Sequence, residues 1–197
     1  MINKIRPIAS KYLNIVAKPI AEIGLTPSHI SILGLFLSIV SITPLLILKP
    51  PTSNYTFSLM ILASGFMDAL DGALARITNK TSPWGSFLDS VIDRIADSTF
   101  ILYIYIGGIL VDEILIMLLI ITSLLISYIR SKAEALMIPI SGVGLIERGE
   151  RLAFLLTAPI ISVYNETYAH ISLYILLILS TVTIFQRIYY VWRRLRN

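Results

Sequence analysis

The chain has 197 residues, of which 56% are hydrophobic and only 14% charged; its net charge is +4 and it has no cysteine. Soluble domains carry about 25% charged residues, so this apolar excess points to one membrane domain. Without cysteine there is no disulfide, thiolate metal site or cysteine nucleophile. With only two histidines, any metal must be held mainly by oxygen, which favours magnesium, manganese or calcium.

Residues 1–24 mix Lys4, Arg6, Lys11 and Lys18 with Ile, Leu, Val and Tyr. They lack the continuous apolar core of a cleavable signal. Their spacing predicts a short basic amphipathic helix at a membrane surface, its regularity limited by Pro7 and Pro19. Residues 25–197 read as one domain. Spanning helices need about 20 mostly apolar residues, and six stretches come near this. They are about Ile30–Leu48, Tyr55–Ile77, Ser86–Leu110, Ile114–Met137, Leu152–Val163 and Ile171–Trp192. The fifth is short unless it begins near Arg148. Six spans put both termini on one side. That side collects every Lys and Arg except Lys49, among them Arg76, Lys80, Arg94, Lys132, Arg193, Arg194 and Arg196. The expected fold is therefore an all-α integral membrane protein. It has six transmembrane helices, an N-terminal interfacial helix and both termini in the cytoplasm, with the cell (plasma) membrane as its location.

The informative segment is DALDGALARITNKTSPWGSFLDSVIDRIADS, residues 68–98. Asp68 and Asp71 sit at i, i+3 near the cytoplasmic end of span two. Asp89 and Asp93 sit at i, i+4 near the start of span three. Each spacing puts a pair on one helix face. The short connection makes the two helices antiparallel neighbours, so the pairs converge. Four carboxylates close together repel, and acids in membrane segments usually face a cavity or a partner. Divalent metal resolves the conflict, and two ions would clamp a pyrophosphate. Solvated helix-end carboxylates, or pairs with Arg76 and Arg94, are the structural alternative. Gly72 and Ala75 allow either close approach of a ligand or close helix packing. Arg76 suits either phosphate binding or snorkelling. Gly85 either opens space beside the acids or starts a helix after Pro83. Thr26-Pro27-Ser28 reads as a helix start.

Asp68-x2-Asp71-Gly72-x2-Ala75-Arg76-x8-Gly85-x3-Asp89-x3-Asp93 resembles the signature of the CDP-alcohol phosphotransferase family at all eight fixed positions across 26 residues. That resemblance implies an enzyme with a cytosol-facing cavity. Asp68, Asp71, Asp89 and Asp93 would hold Mg2+ or Mn2+, two ions per site, and Asp93 would be the general base. Pro27, Asp68, Asp71, Gly72, Ala75, Arg76 and Gly85 would contact CDP. A homodimer is implied, and no nucleic-acid partner.

A second, basic constellation comprises Arg130, Arg148, Arg151 and Arg187, with Glu134, Glu147 and Glu150 placed either to orient or to neutralise them. Arg187 lies deep in span six, where topogenic charge explains it poorly. Several arginines suit a phosphorylated acceptor better than a neutral alcohol. The segments FLDSVIDRIAD, SYIRSKAE, GLIERGERL and FQR resemble the phosphatidylinositol-phosphate and archaetidylinositol-phosphate synthases of that family. The resemblance is weakest at Arg130, where lysine is the subgroup's alternative. The resemblance implies transfer of a lipid phosphate from CDP-archaeol or CDP-diacylglycerol to inositol 1-phosphate, with release of CMP. Glycerol 3-phosphate is the rival acceptor, and a six-span ion or metal transporter is the rival of another class. Asp97 either tunes the site or is a buried polar residue with a helix partner.

Overall fold

A computed structural model of the chain describes residues 6–79 and 81–196, with side chains from residue 12 onward. Lys4 and Lys80, counted above on the basic side, lie outside the described residues, as do the side chains of Arg6, Pro7 and Lys11. The described residues form eight helices and no strand. These are α1 (Arg6–Glu22), α2 (Pro27–Val40), α3 (Thr43–Ile47), α4 (Thr52–Thr78), α5 (Pro83–Ile106), α6 (Glu113–Ala135), α7 (Arg148–Tyr164) and α8 (Glu166–Arg196). The all-α expectation holds. Two compact units are distinguished, residues 6–40 with 60–96, and residues 41–59 with 97–196. Helices α4 and α5 contribute a segment to each.

Four stretches are long and apolar enough to cross a membrane: Pro27–Ile47, Thr52–Thr78, Glu113–Ala135 and Glu166–Arg196. The first was expected as one unbroken run and is two helices, α2 and α3. Pro44 explains the break, since it has no N–H and its ring clashes with the carbonyl four residues back. The other two expected spans fall short for reasons tied to chemistry. Helix α5 carries Asp89, Asp93, Arg94 and Asp97, and α7 has 17 residues and opens on Arg148, Glu150 and Arg151.

In the first unit, α1 is a continuous helix with Pro19 inside it, despite the expected irregularity. Gly24, at φ +84°, follows its end in the left-handed region where glycine avoids Cβ strain. Leu13, Ala17, Ile20 and Ala21 pack with Ile30 of α2 and Leu70, Ala73 and Leu74 of α4. Tyr12, Ile15 and Val16 on the same helix are exposed. Helix α2 approaches α4 closely because position 34 is glycine. A Cβ there would lie 3.2 Å from Met67 Cβ, while Ser64 Oγ donates to the Gly34 carbonyl at 2.9 Å. Small residues and such hydrogen bonds, about 0.6 kcal/mol each, are what hold helices together where hydrocarbon gives no gain on burial.

In the second unit, α8 packs against α6 and α7. Polar groups fasten α4 to α7. Asn54 Nδ2 donates to Ser162 Oγ at 2.9 Å and to the Pro159 carbonyl at 3.3 Å, and Ser58 Oγ donates to the Leu156 carbonyl at 2.8 Å. The connection 136–147 is laid on α8. Ile146 N–H donates to Thr183 Oγ1 at 3.1 Å, and Gly144, at φ +117°, lies so close to Thr183 that a Cβ would meet its Cγ2 at 2.4 Å.

Asp112 caps α6 by accepting from Leu115 N–H at 3.0 Å, and Tyr174 Oη donates to its other oxygen at 2.5 Å. The Tyr174 bond first, and the Leu115 bond second, hold the Asp112 carboxyl below its ordinary value of 3.8. A carboxylate of lowered pKa contributes its full stability above the ordinary value and loses it as pH falls through its own, lower one. Thermal unfolding in detergent should therefore show a midpoint that drops when pH is taken below 3.8. Asp112→Ala should start lower at neutral pH and drop less on acidification. Parallel pH slopes for the two proteins would refute this role.

Candidate active site

Asp68 and Asp71 lie one turn apart near the end of α4, and Asp89 lies in the second turn of α5. The connection between these helices is only residues 79–82. Ser82 and Pro83 explain the sharp start of α5. Ser82 Oγ accepts from Gly85 N–H at 3.0 Å, satisfying one of the orphan donors of a helix N-terminus, and proline needs no such partner. The outcome is that one carboxylate oxygen from each of Asp68, Asp71 and Asp89 lies within 4.8 Å of the other two. Asp71 is 5% exposed. Its Oδ2 lies 2.5 Å from Ser31 Oγ, which is also 3.1 Å from the Pro27 carbonyl. One hydroxyl proton serves one acceptor best, and the shorter, charged contact to Asp71 is the stronger.

Beside this group is an open cleft of about 180 Å³. Of the residues singled out from sequence, Pro27, Ser28, Asp71, Gly72, Ala75, Gly85 and Asp89 line it. Gly85 is thus both a helix-start glycine and part of the wall. Arg76 is exposed and does not line the cleft, although its Nη1 would be 3.5 Å from a Cβ added to Gly72. Asp93, one turn beyond Asp89, stands outside the three-acid group, and its Oδ2 is 3.7 Å from Arg94 Nη1. Arg94 Nη1 also donates to the Ser90 carbonyl at 2.6 Å.

The basic constellation belongs to the second unit. Arg148 Nε donates to Asp97 Oδ1 at 3.3 Å, and Arg151 Nη2 donates to Asp97 Oδ2 at 3.0 Å. Asp97 and Arg151 are 3% and 5% exposed. Asp97 is thus a buried polar residue with a helix partner, and α7 is the partner. Arg187 is equally buried. It donates from Nε to the Val143 carbonyl at 3.0 Å and from Nη1 to the Ile126 carbonyl at 2.9 Å. Glu147 and Glu134 lie close enough to Arg187 to attract it, and Arg130 and Arg151 close enough to repel it. Arg130 itself is exposed and pairs with Glu134 at 2.8 Å. Glu147 and Glu150 act on backbone: Glu147 accepts from Gly142 N–H at 2.9 Å, and Glu150 accepts from Glu147 N–H at 3.0 Å. They fix the start of α7, where Arg148 is the first residue.

The family model of the CDP-alcohol phosphatidyltransferases matches residues 24–186. The chain belongs to this family. It is 36% identical to the archaetidylinositol phosphate synthase of Pyrococcus horikoshii, over 99% of this chain and 98% of that one. It is 30% identical to the phosphatidylinositol phosphate synthase of Mycobacterium marinum, over 95% and 82%. Among solved structures it is similar to Mycobacterium tuberculosis phosphatidylinositol phosphate synthase with CDP-DAG bound. There the TM-score is 0.76 and the identity 29%, with coverage of 92% of this chain and 94% of that one. The same enzyme in complex with manganese and citrate superposes with a TM-score of 0.75 at 30% identity, covering 91% and 88%.

For a member of this family, the donor chemistry of the three-acid group fits a divalent cation. It offers carboxylate oxygens alone, gathered closely enough to share an ion, as hard cations require. Sequence reasoning missed the hydroxyls of the cleft, Ser31, Thr81, Ser82 and Ser86. The available signal was the one-turn spacing of Ser31 from Pro27 and of Ser86 from Ser82. Ser31 aims a carboxylate of the group from outside it, and removing such an orienting partner costs about 10–100-fold in metal affinity. Ser31→Ala should therefore weaken Mn2+ binding by about that factor, read by titration of the purified protein. Unchanged Mn2+ affinity would show that Ser31 only packs.

Proposed function

We propose that the protein transfers the lipid-phosphate group of a CDP-lipid to inositol 1-phosphate, releasing CMP. The observation that carries this reading is the gathering of Asp68, Asp71 and Asp89 beside a cleft walled by Pro27, Gly72, Ala75 and Gly85. Family membership makes the chain a CDP-alcohol phosphotransferase. The inositol phosphate synthases among its relatives support the acceptor, and the archaeal ones favour CDP-archaeol over CDP-diacylglycerol as the lipid donor.

Asp68, Asp71 and Asp89, joined by Asp93, hold two ions, Mg2+ or Mn2+. Bound there, they neutralise the pyrophosphate and the charge that develops on departing CMP. Gly72 and Gly85, without side chains, and the small Ala75 let the CDP portion approach closely, Pro27 forms part of the wall, and Arg76 closes on a phosphate oxygen from the exposed side. Arg130, Arg148, Arg151 and Arg187 recognise the phosphate of the acceptor. The acceptor hydroxyl attacks the phosphorus that bears the lipid. Its proton passes to Asp93, the new oxygen–phosphorus bond forms, and the bond to CMP breaks. Positioning and electrostatics supply most of the rate, and the base adds about 10²–10⁴-fold. The lipid tails stay in the bilayer. The proposed topology is six spans with both termini in the cytoplasm of the cell, and the proposed assembly is a homodimer. Helix α1 lies in the interface, which its exposed Tyr12, Ile15 and Val16 support.

The test is CMP release across CDP-archaeol and CDP-diacylglycerol, each with inositol 1-phosphate or glycerol 3-phosphate, with and without Mg2+ or Mn2+. Metal-dependent release with inositol 1-phosphate is expected, and release with glycerol 3-phosphate alone would overturn the acceptor. Asp93→Asn should lower kcat by about 10²-fold or more while CDP-lipid still binds. Full activity in that variant would remove Asp93 from the base role.

A further inference from the structure

Asp97 has two oxygens and gives one to each of two arginines, Arg148 at 3.3 Å and Arg151 at 3.0 Å. Both arginines lie on α7, at the first and fourth positions of the helix, so one carboxylate spans their common face. The group is almost dry, with side-chain exposures of 22% for Arg148, 6% for Arg151 and 4% for Asp97. A charged donor held this deeply is costly unless every N–H finds an acceptor. One atom lacks that acceptor. Arg151 Nε is buried and has no hydrogen-bond partner, although Nη2 of the same guanidinium is held by Asp97. A buried charged donor without a partner is expensive and is rare in native proteins unless a ligand completes it.

We infer that Asp97 is a positioning residue for acceptor recognition: by holding Nη2 of Arg151 and Nε of Arg148, it fixes the pair so that the unpartnered Nε–H of Arg151 meets an oxygen of the acceptor's phosphate. This rests on the reading that the arginines of the second unit bind that phosphate, and it adds the residue that aims them. The chemistry favours a phosphate over a carboxylate or a hydroxyl. A phosphate brings up to two charges and three acceptor oxygens to a buried guanidinium that still has a free N–H. Asp97 itself touches neither the substrate nor the reacting atoms. Its influence is on binding of the acceptor, not on the bond-making step.

The experiment compares wild type, Asp97→Asn, Asp97→Glu and Arg151→Gln in the full-length protein in detergent. It measures kcat, KM for inositol 1-phosphate, KM for CDP-lipid and the thermal midpoint. Asp97→Asn keeps the shape and removes the charge that aligns the arginines. It should raise KM for inositol 1-phosphate about ten- to hundredfold, the worth of a misaligned charge-assisted hydrogen bond. kcat and KM for CDP-lipid should stay near wild type. Asp97→Glu, which restores the charge on a longer stem, should recover part of the loss, and it serves as the probe if Asp97→Asn does not fold. A uniform fall in kcat with both KM values unchanged, or a lower midpoint with normal kinetics, would reduce Asp97 to a structural residue and overturn the inference. If Arg151→Gln raises KM for inositol 1-phosphate and neither Asp97 variant does, the inference falls and the acceptor reading stands. If Arg151→Gln also leaves that KM unchanged, the acceptor reading itself fails.

Discussion

A charge set among apolar helices must be matched within hydrogen-bonding reach, because the loss of water outweighs most other local terms. Nearly every polar feature of this chain answers that constraint. Asp97 is matched by two arginines, Arg187 by two backbone carbonyls, and Asp71 by a serine hydroxyl. Asp68, Asp71 and Asp89 gather like charges instead, an arrangement that a divalent cation stabilises. The same constraint separates the helices into two kinds. Four stretches are apolar enough to cross a bilayer by composition alone, while α5 and α7, with their clustered charges, fall below that threshold.

Packing follows from a related rule. Where neighbours are as apolar as the surroundings, burial gives little preference for one arrangement over another. Small residues and hydroxyls then decide the register. Gly34 and Ser64 set α2 against α4, which places Ser31 one turn away beside Asp71. Asn54 and Ser58 set α4 against α7 within the second unit. The site is therefore located by residues that look inert when read singly.

The acids were legible in the sequence because helical periodicity converts spacing into geometry. Offsets of three and four residues, with a connection too short to wander, leave little freedom to Asp68, Asp71 and Asp89. The helix boundaries were legible to within a few residues where caps and glycines mark them. The break between α2 and α3 was not, because hydropathy averages over Pro44 as if it were another apolar residue. The partners of the buried arginines were also hidden. Arg187 pairs with carbonyls of Ile126 and Val143, and every residue has a carbonyl, so no side-chain pattern betrays it. Glu147 and Glu150 show the converse. They are bound to backbone N–H groups around a helix start, where an acid is stabilised by the helix dipole, and Glu147 also lies near enough to Arg187 to attract it. Ser31 was missed because its one-turn spacing from Pro27 gains meaning only once its distant neighbour Asp71 is known.

The connection 136–147, seated on α8 by Thr183 and held by Arg187, has an entropic consequence. A free arginine side chain samples many rotamers, and freezing it costs up to about 2 kcal/mol. Arg151 and Arg187, at 5% and 3% exposure, have lost that freedom when the protein folds, and Gly144 admits no side chain that would loosen the seat. Under the acceptor reading proposed above, an anion meets groups that are already ordered, so almost none of its interaction energy is diverted into ordering them. A small, highly charged and weakly apolar molecule has few contacts to offer, and a pre-ordered cationic site lets those few contacts suffice.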